Sequence, residues 1–99
     1  MENNLIPVQH LCTHYHAEVS FVQSLHDFGL IQLATVEENY FVAEEQVKDI
    51  EQMIHLHYDL DINIEGIDAI QHLIRRIHSM QTEMSTLRNK LGRYEHQED

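Results

Sequence analysis

Apolar positions along the chain fall into groups with different periods. Val8, Leu11, Cys12 and Tyr15 recur at helical spacing. Pro7 stands before them, where a helix favours its first residue. They predict a short helix of about two turns. A break over residues 16–18 follows, and Phe21, Val22, Leu25 and Phe28 form a second apolar face, closed by Gly29 in a position to take the left-handed conformation. Two short helices with a tight break make a helix-turn-helix candidate. Ile31, Leu33 and Thr35 then alternate with other positions. Residues 36–39 are polar enough to turn, and Tyr40, Phe41 and Val42 are strand formers. This predicts a two-stranded wing. From Glu44 onward, Val47, Ile50, Ile54 and Tyr58 make a helical stripe with Met53 beside it. Residues 59–63 break the pattern, and Asn63 is placed to cap the next helix.

That last helix has the strongest pattern. Ile70, Ile77, Met84 and Leu91 recur every seven residues, as do Leu73, Met80, Leu87 and Tyr94. The two series are the a and d positions of consecutive heptads. A helix over residues 64–95 would be about 48 Å long, against a radius of gyration of about 13 Å for a domain of this size. It is expected to extend past the head. Ile67 and Ile74 widen the early stripe, as on a helix packed against a globular core. After Ile77 only the narrow seam remains, so Ile77, Met80, Met84, Leu87 and Leu91 are the expected homodimer contact. The alternative is a helix that folds back onto the stripe from Glu44 to Tyr58. In a parallel pair Glu83 would face Arg88 of the other chain and Lys90 would face Glu95, which favours parallel pairing only slightly, because exposed pairs contribute about 0–1 kcal/mol. The reading is therefore a mainly α chain: a winged helix-turn-helix head over residues 1–63, and a long coiled-coil helix over residues 64–99.

Charge changes what such a head can do. The first 47 residues carry seven acids (Glu2, Glu18, Asp27, Glu37, Glu38, Glu44 and Glu45) and no Lys or Arg; the first base is Lys48. Residues 64–94 reverse the balance, with three acids against the five bases Arg75, Arg76, Arg88, Lys90 and Arg93. Proteins hold duplex DNA mainly by neutralising phosphates with Lys and Arg. A head without such side chains is expected to bind nucleic acid feebly or not at all, and to prefer a basic protein surface. Glu37, Glu38, Glu44 and Glu45 flank the wing and are the candidate acidic rim of that contact.

Other chemistry is weak. The single Cys12 permits no intrachain disulfide and reads as a small core residue. No apolar run approaches the roughly 18 residues of a membrane span, and no signal-peptide pattern opens the chain, so a cytoplasmic location is expected. His10 and His14 lie four apart and could share a helix face, but Cys12 falls opposite them; no metal site and no cofactor are expected. Nine histidines would nearly cancel a net charge of −11 if all were protonated, yet most read as solvated surface residues. Ser20 and Ser24 lack a Gly-rich elbow, and the three glycines are isolated, so no enzyme is expected.

The order helix, helix, wing, helix, coil resembles the head and dimer coil of MerR-type regulators. Phe28-Gly29-Leu30 stands where that family has Leu-Gly-Leu. The segment from Ile54 to Ile67, followed by Ile70 and then Leu87, Arg88 and Leu91, is similar to the helix–linker–Gly-Ile–coil pattern of the chaperone-modulator branch, the CbpM-like proteins. The resemblance spans roughly residues 5–94. It implies a non-enzymatic protein that binds the J domain of a DnaJ-like co-chaperone and restrains its activity. J domains present a basic helix, which suits an acidic binder. DNA-binding members typically carry Arg and Tyr in the second helix before the Gly, where Gln23 and Ser24 stand here. The alternatives are a MerR-like transcriptional regulator and a dimeric adaptor for another protein.

Overall fold

The computed structural model describes residues 4–97, with side chains described through residue 94. It divides into two compact units, Met1–Asp68 and Ala69–Asp99. The first unit opens with strand β1 (Leu5–Pro7), followed by helices α1 (Val8–Tyr15) and α2 (Val19–Asp27). Strands β2 (Ala34–Val36) and β3 (Asn39–Ala43), a 3-10 turn (Glu44–Gln46) and helix α3 (Val47–Tyr58) complete the series. Helix α4 (Ile64–Gln97) begins in this unit and makes up most of the second.

The sheet has three strands in the order β1-β3-β2, all antiparallel, where the sequence pattern predicted two. The missed strand is β1. Three residues are too few to display a period of two, and Pro7 signalled only the helix it precedes. Pro7 ends an edge strand, a position that tolerates its missing N–H. Leu5, Ile6 and Pro7 pair with Ala43, Val42 and Phe41.

Both helices of the helix-turn-helix close with a left-handed residue. Gly29 has φ +80°, the Gly29 N–H donates to the carbonyl of His26 (2.9 Å) and Leu30 N–H to that of Leu25 (2.9 Å). These are the two bonds of a Schellman cap. His16 takes the same conformation after α1 (φ 57°), and Ala17 N–H reaches Cys12 O at 2.9 Å. Neither Glu18 nor Ala43 provides a side-chain cap, as their residue types lead one to expect. Instead the Glu18 N–H, at the start of α2, donates to the Tyr58 hydroxyl at 3.0 Å. That bond ties α2 to the end of α3.

Twelve side chains form the core: Val8, Leu11 and Cys12 of α1, Phe21, Val22 and Leu25 of α2, Ile31, Val42 of β3, Ile50, Met53 and Ile54 of α3, and Ile67 of α4. Phe28, assigned to the buried face by periodicity, is instead 46% exposed. It is the last residue before the left-handed Gly29, where the chain turns off the helix axis. Tyr58 is also exposed, its hydroxyl spent on Glu18 and its ring set edge-on to Phe21. Burial raises the pKa of the Cys12 thiol, which fits its place in the core.

The link from α3 to α4 is built locally. His57 stacks on Phe21 (centroids 4.4 Å apart, 13° between planes) and its Nδ1 lies 2.9 Å from the Ile62 carbonyl. Asn63 then caps α4 as its type predicts: Oδ1 accepts from Gly66 N–H at 2.8 Å. A Cβ at Gly66 would meet Ile62 Cγ2 at 2.7 Å, so this first turn closes tightly only with Gly. Four residues past the cap, Ile67 is fully buried in the head core. Replacing Asn63 with Ala should therefore destabilise the head by about 1 kcal/mol, a typical value for a lost N-cap. Urea unfolding followed by circular dichroism reads it; an unchanged midpoint would show that the cap is not limiting.

Candidate protein-binding face

The head presents three surfaces that bear on recognition. The first is α2, the helix that follows the turn. Its exposed positions include Ser20, His26 and Asp27, and Glu18 precedes it. Gln23 and Ser24 are half-buried, and Ser24 returns its hydroxyl to the Ser20 carbonyl at 3.0 Å. No Lys or Arg stands anywhere on this helix. Within the whole first unit the only base is Lys48, on α3.

The second surface is the sheet. Residues paired directly across strands share a face. Val42, fully buried, marks the inner one. Leu5, Pro7, Ala34, Val36, Asn39, Phe41 and Ala43 therefore share the outer face. Leu5 and Val36 are 43% and 47% exposed there.

The third is the wing tip. Val36 pairs with Asn39, so Glu37 and Glu38 form a two-residue hairpin, and both have positive φ (52° and 69°). This is the conformation that Asn-Gly or Gly-Gly adopts freely. Residues with a Cβ pay about 1 kcal/mol for it. The wing thus holds two adjacent carboxylates at its tip against both backbone strain and mutual repulsion.

The other acid pair lies at the far end of β3. Glu44 accepts a bond from Asn4 Nδ2 at 2.8 Å, and the Glu44 N–H donates to Asn4 O at 3.0 Å, which extends the β1–β3 ladder by one step. Glu45 is exposed in the 3-10 turn. Five residues of strand, about 17 Å, separate the two pairs. The four glutamates chosen from the sequence therefore form two acidic ends rather than a single cluster. Beside Glu45, Gln46 supports the strand: its side-chain amide accepts from Gln32 N–H and donates to Gln32 O, both at 2.9 Å.

Between the wing and the start of α1 lies a groove of about 390 Å³. Pro7, Val8, Gln9, Val19, Glu38, Asn39, Tyr40 and Phe41 line it. Sequence reasoning missed it, because it joins two helix starts to one strand across more than thirty residues. The adjacent aromatics Tyr40 and Phe41 were its only local signal. Here a wing-tip acid, Glu38, stands among apolar lining residues.

In the second unit, Leu73, Ile77, Met80, Met84, Leu87, Leu91 and Tyr94 are 49–67% exposed, and from Ile77 to Leu91 the residues between them are polar. Glu95, the second expected cross-chain pairing acid, lies outside the described side chains. Among the described residues no group of three His, Cys, Asp or Glu side chains comes together as a metal site would need. Nor is any described helix long and apolar enough to cross a membrane. His10 and His14 are exposed on α1, with Cys12 buried on its opposite side.

The family model for "MerR HTH family regulatory protein" matches residues 6–89. No curated protein matches the chain.

The wing-tip strain gives a direct stability prediction. Replacing Glu37 with Asn and Glu38 with Gly should stabilise the head by about 1 kcal/mol or more. For a domain of this size that raises the melting temperature by about 4–8 °C. A melt unchanged or lowered would show that the two glutamates carry no strain.

Proposed function

We propose a protein-binding role for this chain, which belongs to the MerR family of helix-turn-helix regulatory proteins. In this reading it is a non-enzymatic regulator whose acidic head grips the J domain of a DnaJ-like co-chaperone and restrains its activity. One observation carries the reading: the helix a DNA reader would insert into the major groove has two acids at its ends, Glu18 and Asp27, and no base. Placed in the groove of a duplex it would bring carboxylates toward phosphates and release no counterions. A basic protein helix reverses that balance. The apolar outer sheet face supplies the buried contact that affinity requires, and the acid pairs at either end of β3 serve as a charged rim.

Calorimetry with the cognate J domain, at tens of micromolar of each protein, should give a saturable heat. No heat and no change in mobility on mixing would remove the J-domain reading and leave a dimeric adaptor for some other protein. In parallel, a gel shift with short duplexes at about 150 mM salt should show no complex; tight binding there would establish the transcriptional alternative instead.

The proposal extends to a homodimer through Ile77, Met80, Met84, Leu87 and Leu91. A seam that narrow is marginal as a lone helix in water, and two copies bury each other's a and d positions. Replacing Leu87 with Asp should shift the sedimenting mass from dimer to monomer. A wild-type chain that sediments as monomer at high micromolar concentration would contradict the seam's assignment.

A further inference from the structure

The groove beside the wing has a composition that selects its occupant. Its apolar lining residues are Pro7, Val8, Val19, Tyr40 and Phe41, of which Val8 is buried and Tyr40 is exposed. Its one charged residue is Glu38. Gln9 and Asn39 add neutral amides. A purely apolar ligand would leave the carboxylate beside it poorly solvated, and an anionic one would be repelled. A lysine or arginine side chain satisfies both parts, laying its methylene stem on apolar wall while its cation reaches the acid. The Tyr40 ring, 41% exposed, offers that cation an aromatic face as well.

Position matters as much as composition. The two-residue hairpin fixes the Glu38 backbone at positive φ, so this lining residue stands on a tight turn rather than on a long loop. Within the first unit the one Lys or Arg is Lys48, which does not line the groove. We infer that this groove receives a basic side chain projected from a helix of the partner protein, with Glu38 as its counter-ion and the exposed ring of Tyr40 beside it. The inference rests on the protein-binding reading above and names the part of the head that performs it.

The test has two arms so that the groove and the J domain can fail separately. In the first, the ¹⁵N-labelled full chain is titrated with an amphipathic peptide of Lys and Leu, and with a matched peptide of Glu and Leu. The Lys peptide should shift the amides of Val8, Gln9, Val19, Glu38, Tyr40 and Phe41, and the Glu peptide should not. Glu38→Gln keeps the hairpin geometry and removes the charge; it should weaken the Lys peptide about tenfold, while Glu45→Lys on the far acid pair should have a smaller effect. Thermal melts of both variants establish that they fold. In the second arm the J domain replaces the peptide.

Groove shifts with both ligands, lost in Glu38→Gln, support the inference. A J domain that binds wild type and Glu38→Gln equally, with shifts elsewhere, overturns the groove and leaves the J-domain reading standing. A Lys peptide that shifts the groove while the J domain does nothing supports the groove and removes that partner. Groove amides that shift on concentrating the chain alone would assign the site to a second copy's basic helix, with Arg75, Arg76, Arg88, Lys90 and Arg93 as donors, and overturn the inference as stated.

Discussion

Burial of a small, wholly apolar core holds every functional feature of the head in place. None of its elements is long enough to be stable alone: the longest helix before α4 has twelve residues and the strands have three to five. Val22, Leu25, Val42, Ile50, Met53 and Ile67 are almost entirely removed from water, and they come from α2, β3, α3 and α4. Because Val42 is pinned inside, the alternation of β3 turns Phe41 and Ala43 outward. Because Ile67 is pinned inside, the first turn of α4 is part of the head. The hydrogen bond from Glu18 to Tyr58 and the stack of His57 on Phe21 add directional ties between α2 and the α3–α4 link, in a region where packing alone would permit sliding.

On that scaffold the surface decides the activity, and fold alone does not. A MerR-type head with Arg and Lys on its second helix and wing can neutralise phosphates. This head has the same elements and the opposite sign. It carries carboxylates at the wing tip, an apolar outer sheet, and a second helix with no base. Backbone strain is accepted at Glu37 and Glu38. Asn-Gly would make the turn more stable, so two glutamates in left-handed conformations are a cost in stability.

Much of this was legible in the sequence where pattern and physics are local. The helical stripes located the core of α1 and α3, Gly29 marked a Schellman cap, and Asn63 marked the N-cap of α4. The heptads marked which side chains of α4 would stand out as one apolar seam. Non-local pairing was not legible. Strand β1 exists only because Leu5–Pro7 finds a partner thirty-five residues later, and no period reveals three residues. Phe28 looked like core because its spacing is right, yet the helix ends before it can turn inward. The acid rim was read as flanking the wing, and the extended strand β3 sets the distance between its two halves at about 17 Å. The groove was invisible for the same reason: Val8, Val19 and Glu38 meet only after folding.

In the function proposed here, charge on this head recruits a basic protein. The rate at which it associates with a J domain tests that claim most directly, followed by stopped-flow fluorescence as salt rises from about 50 mM to about 500 mM. Over that range the Debye length falls from about 14 Å to about 4 Å, so steering between an acidic head and a basic helix is progressively screened. The association rate should fall steeply, with a dissociation rate that changes little. An association rate indifferent to salt would contradict it, because the acids would then have no part in the encounter.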